Sequence, residues 1–201
     1  MLISVRIIAG TLRSRSLQAP PGLATRPTSD RLRETLFNVL SPRIKGAAFL
    51  DLYAGSGAVG MEALSRGAAV VTFVEWAPAA LAVLRTNLAK LGLTAGFRIQ
   101  SSSVGAYLRR AQTGSKPDLA AAFDVVFLDP PYDAAQEYAA TLNLLGAAQA
   151  GLRAPGALVI AEHRRKERLE ERYGSLERTR LLEQGDASLS FYAVSGAVAA
   201  E

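Results

Sequence analysis

Cysteine is absent from the 201-residue sequence, which excludes disulfides and cysteine-ligated metal sites. The single histidine, His163, leaves no room for a multi-histidine metal centre within the chain. No run of about 18 uncharged apolar residues occurs, so no membrane-spanning helix is expected. The opening Met1–Arg6 lacks a charged stretch followed by a long apolar run, so a secretory signal is not expected either. A soluble, reducing, cytoplasmic setting fits these absences; a monomer without metal is the expectation. Acidic residues are scarce at one end. Residues 1–45 hold Arg6, Arg13, Arg15, Arg26, Arg31, Arg33, Arg43 and Lys45 against only Asp30 and Glu34. The remainder carries 15 bases and 16 acids, so the net charge of +5 belongs to the N-terminal segment. Clustered cations attract polyanions and gain from counterion release, although a solvated basic arm would look the same.

What is present is 49% hydrophobic, enough for one main domain with a small appendage. Val5–Ala9 and Ser16–Ala19 read as two short extended stretches able to pair, and Pro20-Pro21-Gly22 marks a boundary. Thr28 or Ser29 can cap a helix running to about Leu40, with Leu32, Leu36, Phe37 and Leu40 on one face; Pro42 stops it. From residue 47 strands and helices alternate. Strands are expected at Ala47–Tyr53, Ala69–Glu75, Gly96–Gln100, Phe123–Asp129 and Gly156–Glu162. Helices are expected at Val59–Arg66, Pro78–Leu91, Val104–Ala111, Ala135–Ala150 and Arg165–Tyr173, with Thr113–Asp118 as a polar loop. Leu176–Leu182 and Ser188–Val194 follow as an antiparallel hairpin about Gln184-Gly185-Asp186. The fold class is therefore α/β, a parallel sheet covered on both faces and ending in a hairpin. We divide it into a basic extension, residues 1–45, and a main domain, residues 46–201.

Two loops carry chemistry. Leu50-Asp51-Leu52-Tyr53-Ala54-Gly55-Ser56-Gly57-Ala58-Val59-Gly60 joins the first strand of the main domain to its helix. Glycines at 55 and 57 permit a sharp turn and close approach of a ligand to the backbone. Glu75, 20 residues beyond Gly55, can accept hydrogen bonds from ribose hydroxyls. The string is also a weak dinucleotide-binding signature, so a nicotinamide enzyme competes. Asp51 shifts the reading toward S-adenosylmethionine, because a carboxylate there can face a cationic ligand and would gain nothing from a pyrophosphate. The terminal hairpin, in place of a second mononucleotide-binding half, shifts it the same way. Asp51 capping the loop amides is the competing role.

The second loop, Asp129-Pro130-Pro131-Tyr132, follows an apolar strand at the carboxyl edge of the sheet, where open α/β folds bind ligands. Two prolines stiffen it and hold carbonyl acceptors in place before a substrate arrives. A planar aromatic amine is a poor nucleophile while its lone pair is delocalised. Hydrogen bonds to the Asp129 carboxylate and the Pro130 carbonyl would let it pyramidalise, and Tyr132 offers a face on which a base can stack. His163 has no partner suggested by spacing and is assigned a surface or packing role. Glu167, Glu170 and Glu171 after Arg164-Arg165-Lys166 suggest a paired helix face, and Arg13 and Arg15, with no local acid, are the better RNA candidates.

These residues resemble the RsmD-like family of 16S ribosomal RNA guanine-N2 methyltransferases, whose members modify guanine(966). The resemblance runs through Arg6–Gly10, Thr25–Arg31, Glu34–Asn38, Leu50–Gly60, Glu62–Ala68, Phe73–Glu75, Asp129–Tyr132, Glu162-His163 and Ser190–Tyr192. It implies a Rossmann-like seven-stranded S-adenosylmethionine-dependent methyltransferase sheet with a small N-terminal extension. It implies cofactor contacts from the Gly55–Gly57 turn with Tyr53 and Ala54, from Glu75, and from the 25–38 segment with Arg26 and Thr28. Catalysis would fall to Asp129–Tyr132, and the substrate would be 16S rRNA on an assembling 30S subunit, with Arg6, Arg13, Arg15 and Arg31 as RNA contacts. The family's Gly-Asp near the end of the third strand is replaced by Ser102-Ser103, so Ser103 stands where an acid would hold adenine. Trp76 would pack on the adenine or cover the surface. Methylation of adenine N6 or of a protein glutamine uses closely related loops, and a non-catalytic RNA-binding assembly factor is the reading outside enzymology.

Overall fold

Strands of the inner sheet are mostly apolar on both sides because both of their faces are covered. Phe49, Val71, Phe73, Val125 and Phe127 point to one side; Leu50, Leu52, Val74, Val126 and Leu128 point to the other. The computed structural model describes residues 5–19, 30–112, 122–131, 135–147 and 152–194. In chain order these form β1 (Val5–Arg6), β2 (Ser16–Leu17), α1 (Asp30–Leu40), β3 (Ala48–Leu52), α2 (Ala58–Ser65), β4 (Val70–Glu75) and α3 (Pro78–Lys90). There follow β5 (Phe97–Ser101), α4 (Val104–Gln112), β6 (Phe123–Leu128), α5 (Ala135–Gly146), β7 (Arg153–Arg164), β8 (Arg172–Tyr173), β9 (Leu176–Gln184) and β10 (Ala187–Val194). The expected boundary at Pro20–Gly22, the cap at Thr28 or Ser29 and the Thr113–Asp118 loop lie outside the described residues.

The large sheet has the order β5-β4-β3-β6-β7-β10-β9-β8. Its first five strands are mutually parallel; β10 pairs antiparallel with β7, and β9 antiparallel with β10. The seven expected strands are all present, with the two-residue β8 added at the far edge. α1, α2 and α3 pack with β1 and β2 on one face of the sheet; α4 and α5 cover the other. The β9–β10 hairpin turns at Gly185-Asp186, with Gly185 at a φ of 61°.

One expected helix is absent. Residues 165–167 form a turn, and Arg172–Tyr173 forms a strand instead of the end of a charged helix. In that stretch Leu169 and Tyr173 alone are apolar, too narrow a stripe to hold a helix against the sheet. Their side chains are buried all the same, and Tyr173 packs edge-on against Tyr192. The charges pair across neighbouring segments, Arg165 with Glu183, Arg172 with Glu177 and Arg178 with Glu171, and not along a helix face. β7 is also longer than expected at both ends, because Arg153 pairs with Phe123 of β6 at its start and β10 pairs along it from Val159 to Arg164.

The extension is strapped to the main sheet by buried polar groups. Glu62 in α2 accepts hydrogen bonds from the backbone N–H of Ile8 at 2.7 Å and Ala9 at 3.0 Å. Ser65 donates to the Ala9 carbonyl at 2.5 Å and accepts from the Leu12 amide at 3.0 Å. Between them Gly10 lies so close that a Cβ there would sit 1.9 Å from the Ser65 carbonyl oxygen, so only glycine fits.

Candidate functional site

Register places the two candidate loops side by side. β3 and β6 are adjacent and parallel, with Leu52 opposite Leu128, so Tyr53–Gly57 and Asp129–Pro131 leave the same edge of the sheet on neighbouring strands. Glu75 and Trp76 end β4 on the other flank of β3, and Ser103 follows β5 beyond that. Tyr132, Arg26 and Thr28 lie outside the described residues.

The glycine turn is built for close backbone approach. Gly55 and Gly57 have φ of 55° and 78°, and a Cβ on Gly57 would meet Leu84 Cδ1 at 2.3 Å. A Cβ on Gly55 would meet only the Tyr53 carbonyl, at 3.9 Å, so the space above the turn is open. Tyr53 itself has a φ of 61°, and its hydroxyl is turned away to Glu137 Oε2 at 2.8 Å and Thr141 Oγ1 at 2.7 Å in α5. Its side chain is thus directed to α5 and it offers the turn its backbone. Glu75 Oε2 accepts from the Gly55 amide at 2.9 Å, while Oε1 accepts from Trp76 and Ala77 amides at 2.8 Å each. A carboxylate has about four acceptor sites, so one remains for a ligand hydroxyl. Trp76 is 66% exposed. Ser103 caps α4: its Oγ accepts from the Ala106 amide at 3.3 Å.

Asp51 is buried, and its Oδ2 accepts from the Gly60 amide at 2.9 Å, the capping role weighed from the sequence. Burial pushes its carboxyl up to about 8, the Gly60 hydrogen bond opposing and the charge of Glu75 adding to the rise. The folded chain thus keeps a proton that the unfolded chain, at 3.8, has lost. Stability from this group therefore falls as pH rises from about 4 to about 8 and is level above that. Asp51→Asn should flatten that part of the profile and raise the melting temperature most near pH 8, as read by thermal unfolding across pH; an unchanged slope would contradict it.

Asp129 is half-buried directly after β6. Desolvation holds its carboxyl well above the ordinary carboxylate range, and the charges of Glu162 and Asp51 push the same way. Glu162 was not singled out from the sequence as a site residue. It is buried near the end of β7, one residue past Ala161, the partner of Leu128. Its charge also acts on Arg33, a guanidinium fully buried in α1 that donates to the Arg6 carbonyl at 2.6 Å and to Asp30 at 2.9 Å. His163, next in β7, is buried and not at the surface: its ring nitrogens meet Ser190 Oγ and the Arg164 carbonyl at 2.9 Å each, and burial lowers its pKa.

Asn87 was missed altogether. Its Oδ1 accepts from the Gln18 amide at 2.8 Å, and its Nδ2 donates at 3.0 Å to the carbonyls of Gln18 and Ser56. One side chain thus joins the extension to the glycine turn. The signal was available, since Ala80, Leu84, Leu88 and Leu91 form a helical stripe that contains position 87. Asn87→Leu should cost about 1–3 kcal/mol in chemical denaturation, because the Gln18 amide and the Ser56 carbonyl lose a partner; a change below about 0.5 kcal/mol would mean water replaces it.

The expected RNA contacts lie on the α1–α3 side. Arg6 pairs with Asp30 at 3.1 Å; Arg15 donates to the Lys90 carbonyl at 2.9 Å; Arg13 and Arg31 are exposed. A family model described as Conserved hypothetical protein 95 matches residues 5–193. YlbH of Bacillus subtilis is 35% identical over 195 residues, covering 96% of this chain and 100% of its own. Ribosomal RNA small subunit methyltransferase D of Escherichia coli is 44% identical over 128 residues, covering 64% of this chain and 60% of that protein. The solved structure of yhhF from Escherichia coli superposes with a TM-score of 0.80 at 34% identity, covering 95% of this chain and 98% of that one. The chain belongs to the family described as Conserved hypothetical protein 95, the RsmD-like family of ribosomal RNA methyltransferases.

Proposed function

We propose that this protein transfers a methyl group from S-adenosylmethionine to the exocyclic N2 of a guanine in 16S ribosomal RNA, of the guanine(966) type, on an assembling small subunit in the cytoplasm. The observation that carries the reading is the adjacency of the Tyr53–Gly57 turn and the Asp129–Pro131 loop on neighbouring parallel strands. The name of the Escherichia coli relative supports the substrate class. The fit to a nucleoside cofactor rests on the open space above Gly55 and the spare acceptor capacity of Glu75. Residues 53–57, Glu75 and Ser103, with Arg26 and Thr28 of the extension, would hold the cofactor, and Asp51 would face its cationic end. When bound, it supplies an electrophilic methyl group on a sulfonium.

The rest is done by the protein. Asp129 and the Pro130 carbonyl accept hydrogen bonds from the amino group, which turns the nitrogen lone pair out of the ring plane. Pro130 and Pro131 keep those acceptors from rearranging. Tyr132 stacks on the extruded base. The carboxylate of Asp129 stabilises positive charge developing on nitrogen, and the methylated amine then gives its proton to solvent or to that carboxylate. Residues 1–45 act as the extension that meets RNA through Arg6, Arg13, Arg15 and Arg31.

The test is transfer of labelled methyl to unmodified 16S rRNA and to small-subunit particles, followed by mass spectrometry of the nucleotides. N2-methylguanine is the expected product. N6-methyladenine, or label in protein glutamine, would replace this substrate by another planar amine, and no transfer to any of them by folded, cofactor-bound protein would end the enzymatic reading.

A further inference from the structure

Averaged over residues 46–201 the charge is nearly balanced, but it is not evenly spread. Between Glu75 and Asp118 there is no acidic residue, while Arg85, Lys90, Arg98, Arg109 and Arg110 all fall there. The fold gathers these five around the β5 edge of the sheet. Arg85 and Lys90 lie on α3 and Arg109 and Arg110 on α4, all exposed, and Arg98 is half-buried in β5 between the two helices. Phe97 and Ile99 pack toward the α3 face, so Arg98 points to the α4 face, where its charge and that of Arg110 act on the Tyr107 hydroxyl.

The two halves of the strip meet at the carboxyl end of β5. Arg85 Nη2 is 3.4 Å from Ser101 Oγ, and Arg110 Nη2 is 3.1 Å from Ser102 Oγ. Ser101 lies opposite Glu75, the residue before the exposed Trp76. At the other end Arg15 bonds the Lys90 carbonyl, which joins the strip to the extension. Among the described residues the ion pairs lie elsewhere, on α1, α2 and the β7–β9 side, and none includes Arg85, Lys90, Arg98 or Arg109. A band of cations along α3, β5 and α4, ending beside Glu75 and the exposed indole of Trp76, has the chemistry for a sugar-phosphate backbone.

We infer that the β5 edge is a second RNA-binding surface, where Arg85, Lys90, Arg98, Arg109 and Arg110 hold phosphates of the substrate strand and guide it from the extension to Trp76. This inference rests on the proposed RNA substrate. Trp76 is the sole tryptophan, so its fluorescence reports from the inner end of the band. The experiment titrates an unmodified 16S rRNA transcript into protein saturated with S-adenosylhomocysteine, at several salt concentrations. Wild-type protein should show quenching of Trp76 with RNA. R85E/R109E should weaken binding at least about 10-fold at moderate salt. It should also reduce the slope of log affinity against log salt by about 1.4–1.8, at about 0.7–0.9 for each phosphate no longer neutralised. R168E/R180E makes the same change of charge on the opposite side of the sheet and should shift binding less than about 3-fold. Equal weakening by both pairs, or none by R85E/R109E, overturns the surface. If R85E/R109E lowers the melting temperature, R85A/R109A serves in its place, with about half the loss expected. Wild-type protein that binds neither this RNA nor small-subunit particles would defeat the RNA reading itself, whereas RNA binding indifferent to the β5 edge defeats only this inference.

Discussion

Asp129→Ala should cut methyl transfer at least about 100-fold and at the same time raise the melting temperature. The two effects have one cause. Burial and the neighbouring charges of Glu162 and Asp51 already oppose ionisation of Asp129, so removing it relieves repulsion in the folded state. Catalysis loses the acceptor that turns the amino group and the charge that stabilises the alkylated nitrogen. Preorganised electrostatic groups of this kind contribute about 10²–10³-fold to kcat, and a loss in that range or larger is expected in single-turnover transfer to 16S rRNA. S-adenosylhomocysteine affinity should change little. Asp129→Asn keeps one oxygen acceptor and should retain about ten times the activity of the alanine variant. Because the carboxyl titrates above the usual range, the wild-type rate should rise with pH as Asp129 ionises, and Asp129→Asn should lack that limb. Wild-type rates in Asp129→Ala would remove the loop from the chemistry.

The order of strands and helices was legible because buried strands and amphipathic helices have different apolar periods, and the glycine and proline loops mark where one gives way to the other. The neighbouring position of those loops was not explicit in the sequence; it follows from Leu52 pairing with Leu128 across β3 and β6. The polar strap was hidden for a different reason. Glu62, Arg33 and Asn87 each sit in an apolar helical stripe, and charged or amide residues there read as solvent-facing until their partners are known. Those partners are 54, 27 and 69 residues away, beyond any local pattern. The charged stretch at 165–173 misled in the opposite direction, since i,i+4 charges were present without an apolar face to hold a helix. The β5-edge band escaped notice because the acids after residue 117 cancel it in the sum.

Glu62→Ala should be among the most destabilising single changes in this chain. The carboxylate is fully buried and serves four groups: the Ile8 and Ala9 amides, Arg66 Nε at 2.7 Å and Arg33 Nε at 3.8 Å. Alanine leaves two backbone donors without an acceptor and Arg33 as a buried cation that keeps the Arg6 carbonyl, the half-exposed Asp30 and the more distant charge of Glu162. Removing one partner from a buried charge pair costs about 3–5 kcal/mol. Against a total stability of about 5–15 kcal/mol, that is a large fraction. Glutamine restores one acceptor for the amides and no charge, so Glu62→Gln should recover about a third to a half of the loss. The damage should not be confined to the extension. Arg33 shares α1 with Leu36 and Phe37, which pack in the same core as Phe49, and Phe37 carries Arg66 over its ring at 5.0 Å. Urea denaturation should therefore show a lower midpoint for the whole transition, and amide exchange at Ile8 and Ala9 should rise with it. A midpoint shift equivalent to less than about 1 kcal/mol, with those two amides still protected, would show that the strap is held by apolar packing of Val5, Ile7 and Leu17 and not by the buried carboxylate.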